Sequence, residues 1–493
     1  MEVYMDEIQL GGISAVPATD EFARWCAPQE NEVSVDALAV EGQVPEWLTG
    51  TLVRNGPAHW GTGPRAARHL LDGLAMLHKF AFTEGRVSYA NRFLRTKAYQ
   101  SLREDGRIGY REFASDPCRK LTQPIATLFD PRYTDNASVN VIRLGDRLVA
   151  LTETPLPVAF DPETLETLGV AYDPPGRGVF SPTGHPHFDR AGSMISTQVH
   201  FGLRSSYRVY RQTPTGFRQV AKVPVARPSY LHSFALTERH IVVVESPFRV
   251  NPLELAAGRK PFIQNYRWRP DQPTTFLVLD RHTGELKGRW ESEAMFFFHT
   301  VNAYDDPGGE IVVDLCGYSD PSLIDSLYLD ALSVRGTPIP TATFHRYRLG
   351  ASGRTRRETP SQEAFEWPGI NYGADNARPY RYAYGSGAVE TGAGPVTTIT
   401  KLDVTDGTTA HWHQPGCLTG EPVFVPAPGR GAEDAGVVLA VVFEPERDAS
   451  FLLVLDARDL GELARAHAPH RMPFGFHGNF FPDPAPGESA VAS

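Results

Sequence analysis

Leu277-Val-Leu-Asp280-Arg-His-Thr-Gly-Glu285 is a short β-branched apolar run that ends on an aspartate and turns at once through a polar loop. The same grammar recurs in Val158-Ala-Phe-Asp161-Pro-Glu-Thr-Leu-Glu166, in Thr400-Lys-Leu-Asp403-Val-Thr-Asp-Gly407 and in Leu453-Val-Leu-Asp456-Ala-Arg-Asp-Leu-Gly-Glu462. The aspartates stand 119, 123 and 53 residues apart, close to two, two and one units of roughly 55–60 residues, as radial repetition of four-stranded blades requires. A β-propeller follows.

Further short runs support an all-β chain: 86–94, 139–144, 147–151, 240–245, 310–315 and 436–443 are apolar or aromatic and bounded by turn residues. Gly145-Asp146 joins two of them as a hairpin signal. Forty-four glycines and 41 prolines in 493 residues suit a turn-rich fold, and 41% hydrophobic residues suffice for a large core. Residues 1–493 read as a single propeller domain, with the propeller over about 30–481, cap insertions near 101–129, 247–269 and 319–337, and a frayed tail over 482–493.

The balance of 48 basic against 58 acidic residues gives a formal charge of −10. With no basic stripe, nucleic acid is excluded as a partner. The longest apolar stretch, 437–443, is far too short to span a bilayer. The acidic opening Met1-Glu-Val-Tyr-Met-Asp-Glu7 fits no signal or transit peptide, so a cytoplasmic location is expected. Cys26, Cys118, Cys316 and Cys417 form no C-x-x-C pair and read as reduced thiols.

Four histidines sit inside apolar or aromatic runs. They are His185 in Ser181-Pro-Thr-Gly-His-Pro-His-Phe-Asp189, His232 in Tyr230-Leu-His-Ser-Phe, His299 in Phe296-Phe-Phe-His-Thr-Val-Asn302, and His477 in Pro473-Phe-Gly-Phe-His-Gly-Asn479. A buried imidazole needs a partner. Their spacings of 47, 67 and 178 residues are about one, one and three blades, so all four can project into a central channel, and their convergence suggests a metal site.

With these residues in place, Asn55-Gly-Pro, His69-Leu-Leu-Asp72-Gly-Leu-Ala-Met-Leu-His78, Gly-His185-Pro, Leu-His232-Ser-Phe-Ala-Leu-Thr, Phe-His299-Thr-Val-Asn, Phe365-Glu-Trp-Pro-Gly-Ile-Asn371 and Phe-His477-Gly together resemble the carotenoid cleavage oxygenases. Thr134-Asp-Asn-Ala-Ser-Val-Asn140 and Thr152-Glu-Thr154 resemble most the branch of β-carotene 15,15'-oxygenase and the retinoid isomerohydrolase. The resemblance implies a seven-bladed propeller with a helical cap and one axial Fe(II) per chain held by His185, His232, His299 and His477. It also implies that Glu153, Glu366 and Glu421 back His232, His299 and His477, and that Phe298 and Val139 contact substrate. The family's Gly-His-Pro pattern selects His185 over His187. The implied reaction is cleavage of a carotenoid or apocarotenoid double bond by O2 into two carbonyl products, with retinal among the candidates; stilbene cleavage and retinoid isomerohydrolysis are the alternatives on this scaffold. Leu121, Ile125, Leu128 and Phe129, flanked by Arg119, Lys120 and Arg132, suggest either an apolar lip for peripheral membrane contact or a buried cap helix.

Overall fold

The aspartate turn is one local device used four times. In the computed structural model, which describes residues 15–116, 133–175, 178–213, 216–388, 395–429 and 431–483, each aspartate carbonyl accepts the N–H four residues on: Leu165 and Gly284 at 2.9 Å, Gly407 at 2.8 Å and Leu460 at 2.9 Å. Each aspartate side chain accepts an N–H from its own loop: Thr164, Thr283, Thr405 and Arg458. Such Asx bonding is why aspartate opens turns. The fourth loop position has positive φ every time, 59° at Leu165, 75° at Gly284, 79° at Gly407 and 59° at Leu460. Glycine adopts this region freely, and leucine only under constraint.

Each of these turns joins the third strand of a blade to its fourth. Seven antiparallel sheets make the ring. Blade 1 takes its innermost strand, Gly478–Pro482, from the C-terminus and the next three, Gly50–His59, Leu74–Thr83 and Arg86–Phe93, from the N-terminus. The inner strands of blades 2 to 6 are Asn140–Leu144, Val179–Pro182, Ala235–Leu236, Phe296–Asp305 and Glu366–Gly369. Blade 7 begins with Leu418–Thr419 and Val423–Pro426 and ends, outermost, on Ala39–Gly42 from the N-terminus. The ring is therefore closed twice by strands exchanged between the two chain ends.

A blade packed between two others is buried on both faces. Val437 to Phe443 is accordingly buried at every position, which is why this strand reads as a continuous apolar run with no alternation. Between blades 3 and 4 the contact is made by Ile195, Val209, Leu236, Val243 and Leu277, all buried.

Short helices and a two-stranded pair stand between the blade strands in two of the expected insertions and beside the third, of which residues 117–129 lie outside the described residues. Residues 247–269 form the pair Phe248–Val250 with Tyr266–Trp268 and the helix Pro252–Ala257, which Asn251 caps at one end and Gly258 ends at φ 59°. Residues 319–337 carry the helices Ser322–Ser326 and Leu329–Leu332, and the helix Lys97–Arg103 begins the third. Leu255, Ile263, Leu323 and Ile324 share one core with Phe296 and Phe298 of blade 5. Cys118, the apolar lip at 121–129 and most of the tail expected over 482–493 lie outside the described residues. Pro482 itself still pairs with Gly50. Cys26, Cys316 and Cys417 are free and buried. Among the described residues no helix is long and apolar enough to cross a membrane.

Candidate metal centre

Every blade sends one polar side chain to the axis. Blades 3, 4, 5 and 1 send His185, His232, His299 and His477, each on, beside or shortly after its inner strand. Blades 2, 7 and 6 send Glu153, from the loop after Arg147–Leu151, Glu421 and Glu366.

The carboxylates decide the tautomers. His232 Nδ1–H donates to Glu153 Oε1 at 2.6 Å, His299 Nδ1–H to Glu366 Oε1 at 2.5 Å and His477 Nδ1–H to Glu421 Oε1 at 2.7 Å. Burial, aided by the neighbouring imidazoles, holds His185 and His299 well below the usual imidazole range; burial also lowers His477, with Glu421 opposing it. A neutral ring with its proton on Nδ1 has a bare lone pair on Nε2.

The bare nitrogens of His232, His299 and His477 face one another, and His185 Nε2 faces them in turn. The Nε2–Nε2 separations are 2.9 Å for His185 and His232, 3.2 Å for His232 and His299, and 3.0 Å for His299 and His477, and one ligand atom from each of the four residues lies within 4.8 Å of the rest. Lone pairs at this distance with no proton between them repel. A cation at the centre turns that repulsion into coordination, so the residues fit a metal. At a metal–imidazole distance of about 2.1 Å, neighbouring ligands stand about 3.0–3.4 Å apart, and the observed separations are close to that span.

The three carboxylates differ in surroundings. Burial pushes Glu421 up, but Arg54 and then His477 outweigh it and hold the carboxyl below its ordinary value. Among the described residues no lysine or arginine pairs with Glu366, and burial drives it well above the ordinary carboxyl range, with the Cys316 thiol and Tyr318 hydroxyl opposing. Glu153 is met by the Tyr230 hydroxyl.

His185 has no carboxylate and is placed by backbone. Its N–H donates to Thr183 Oγ1 at 2.9 Å, and that hydroxyl donates to His232 O at 2.6 Å. A Cβ on Gly184 would stand 2.9 Å from Val139 Cγ1, so the glycine before the histidine is required for Val139 to pack there. His187 points elsewhere: its Nε2–H donates to Phe234 O at 2.9 Å, and its Nδ1 accepts from the Tyr372 hydroxyl at 3.0 Å.

Beside the histidines lies an apolar cavity of about 100 Å³ whose walls include Val139, Phe298, Tyr318, Phe474 and Phe476. The Phe298 ring meets that of His232 edge-on, centroids 5.1 Å apart. A larger recess joins it at Val139 and His232 and continues past Thr152 and Phe113 to the cap. Sequence reasoning brought the histidines, glutamates, Phe298 and Val139 to this place. It missed Tyr230, two residues before His232 and on the same side of an extended chain, and Arg54, Cys316 and Tyr318, which stand on strands remote in sequence from the glutamates they serve.

The family profile described as retinal pigment epithelial membrane protein matches residues 26–482. The carotenoid isomerooxygenase of Galleria mellonella is 34% identical over 495 residues, covering 93% of this chain and 96% of that protein. The beta,beta-carotene 15,15'-dioxygenase of Gallus gallus is 33% identical over 507 residues, covering 90% and 95%. The solved structure of the cobalt-substituted apocarotenoid oxygenase of Synechocystis superposes with a TM-score of 0.82 at 28% identity, covering 94% of this chain and 98% of that one. Seven blades, an axial four-histidine cluster and full-length similarity agree, and the chain belongs to the family of retinal pigment epithelial membrane protein and the carotenoid-cleaving dioxygenases.

Proposed function

We propose that this protein is an Fe(II)-dependent dioxygenase that cleaves one double bond of a carotenoid or apocarotenoid into two carbonyl products, with retinal-forming cleavage the first to be tested. The observation that carries this reading is the convergence of four histidine ring nitrogens, three of them with Nδ1–H held by a carboxylate, at the edge of an apolar, aromatic-walled cavity. An all-imidazole donor set suits a first-row transition metal such as iron. When bound, Fe(II) supplies the activation of O2.

The chain's own groups do the rest. His185, His232, His299 and His477 are assigned as ligands. Glu153, Glu366 and Glu421 hold the Nδ1 protons of the last three, which fixes the rings and raises their basicity. Phe298 walls the cavity where the polyene lies, and Val139 crowds the space beside His185. Such apolar walls exclude water from the reacting bond, and ring faces stabilise cationic character on a polyene. The partners are thus a hydrophobic polyene and O2, with a cytoplasmic location and only peripheral membrane contact.

A single turnover on β-carotene and on an apocarotenal under labelled O2, with the aldehydes reduced before they exchange with water, tests the proposal. Label in both fragments is expected. Unlabelled products formed equally well without O2 would overturn it and leave isomerohydrolysis.

A further inference from the structure

The two ends of the chain meet at the metal centre. His477 directly precedes the strand Gly478–Pro482, whose Gly478 lies opposite Arg54 on Gly50–His59. Arg54 is 4% exposed. Its Nη1 pairs with Glu421 Oε2, and its Nη2 donates to Phe476 O at 2.9 Å. Gly478 N adds a bond to Glu421 Oε2 at 3.0 Å, while the other carboxylate oxygen takes the His477 Nδ1–H. The backbone repeats the join: Asn55 N donates to His477 O at 2.8 Å and Phe476 N to Asn55 O at 3.0 Å. A Cβ on Gly478 would stand 2.3 Å from Val53 O, so the strands meet too closely for any side chain there.

Arg54 therefore holds both the carboxylate behind His477 and the residue before it, from the opposite end of the chain. Among the described residues neither of the other two carboxylates has an arginine or lysine ion pair, and Glu153 is met by the neutral Tyr230 hydroxyl. His185, His232 and His299 come from consecutive blades and need no closure of the ring to converge. His477 does need it.

We infer that Arg54 is the positioning residue for His477, and that through it metal binding and closure of the propeller ring form one coupled equilibrium. The inference rests on the proposed metal site. A metal that reaches its full affinity only in the closed ring stabilises closure by mass action, and closure raises the affinity in return.

The test uses metal-free full-length protein and Co(II). Cobalt affinity is read from its ligand-field absorption, and backbone opening from hydrogen exchange with and without cobalt. Cobalt is expected to slow exchange over 476–482 and 51–57 by at least tenfold while leaving 241–245 and 275–279 in blade 4 unchanged. Arg54→Met should weaken cobalt binding by roughly ten- to a hundredfold, and Arg54→Lys, which keeps the charge, should weaken it less. In a Glu421→Gln background Arg54→Met should add little, because the carboxylate it serves is gone; this double variant removes both buried charges and covers the case in which Arg54→Met alone does not fold. Wild-type affinity in folded Arg54→Met, or protection spread equally over blade 4, would overturn the inference and leave the metal site standing. If the wild-type chain binds no cobalt, the metal site itself falls, and the inference with it.

Discussion

The Tyr230 hydroxyl lies across the Glu153 carboxylate, 3.0 Å from one oxygen and 2.9 Å from the other. Because that carboxylate also takes the His232 Nδ1–H, and the hydroxyl itself lies 3.4 Å from the same nitrogen, the tyrosine helps orient the His232 ring. Tyr230→Phe keeps the ring and removes the donor. It should cost about 1–2 kcal/mol of stability and roughly tenfold in metal affinity, read by denaturant unfolding and cobalt titration. Unchanged affinity would show that Glu153 is held without it.

Glu421→Gln and Glu366→Gln should not behave alike. The first leaves Arg54 buried without its anion, a loss of roughly 3–5 kcal/mol. The second replaces a carboxyl that burial already disfavours as an anion with a neutral group of the same shape, and about 1–2 kcal/mol is expected. Urea unfolding of both metal-free variants measures the order, and a reversed order would contradict the charge assignment.

Phe298→Ala removes a buried wall of the cavity. A loss of about 3–5 kcal/mol in stability is expected, together with a slower turnover or a displaced cleavage position and a full complement of iron. Product chromatography and metal analysis on the same sample decide it. Empty sites would place the ring in metal retention.

Asp72 is buried beneath the cap, accepting from Ser115 Oγ at 2.6 Å and Ala114 N at 3.1 Å. Burial raises its carboxyl to about 7, against the pull of those hydrogen bonds. The folded chain thus keeps a proton that the unfolded chain releases near pH 4, so this residue makes stability fall as pH rises from about 4 to 7, by at most roughly 4 kcal/mol. Asp72→Asn should flatten that slope, gaining on the parent between pH 5 and pH 8 in urea unfolding. Parallel profiles would refute it.

The propeller was legible because an aspartate that bonds its own loop is a local signal, present whatever the rest of the chain does. The signal was incomplete for the same reason: blade 1 turns through Glu84-Gly85 and blade 5 through Ser352-Gly353, with no aspartate, so the blade number came from resemblance. Leu165 and Leu460 also occupy positions where positive φ favours glycine, which disguises half of the repeats. At the site, the histidines stood out as polar groups in apolar runs. Glu153, Glu366 and Glu421 looked like surface residues, because their partners are 79, 67 and 56 residues away. Arg54 and Glu421 are 367 residues apart, and only closure of the ring brings them together.

The allotment of one axial group to each blade constrains how this protein can vary over generations. Repetitive rings ordinarily tolerate copying or loss of a unit, since each unit contacts only its neighbours. Here no unit is interchangeable: losing blade 2, 6 or 7 removes a carboxylate, losing blade 1, 3, 4 or 5 removes an imidazole, and an added blade would widen the axis that sets the nitrogens about 3 Å apart. Descendants of this chain can lengthen their loops and reshape the cap freely, but the sevenfold count is locked by the chemistry at its centre.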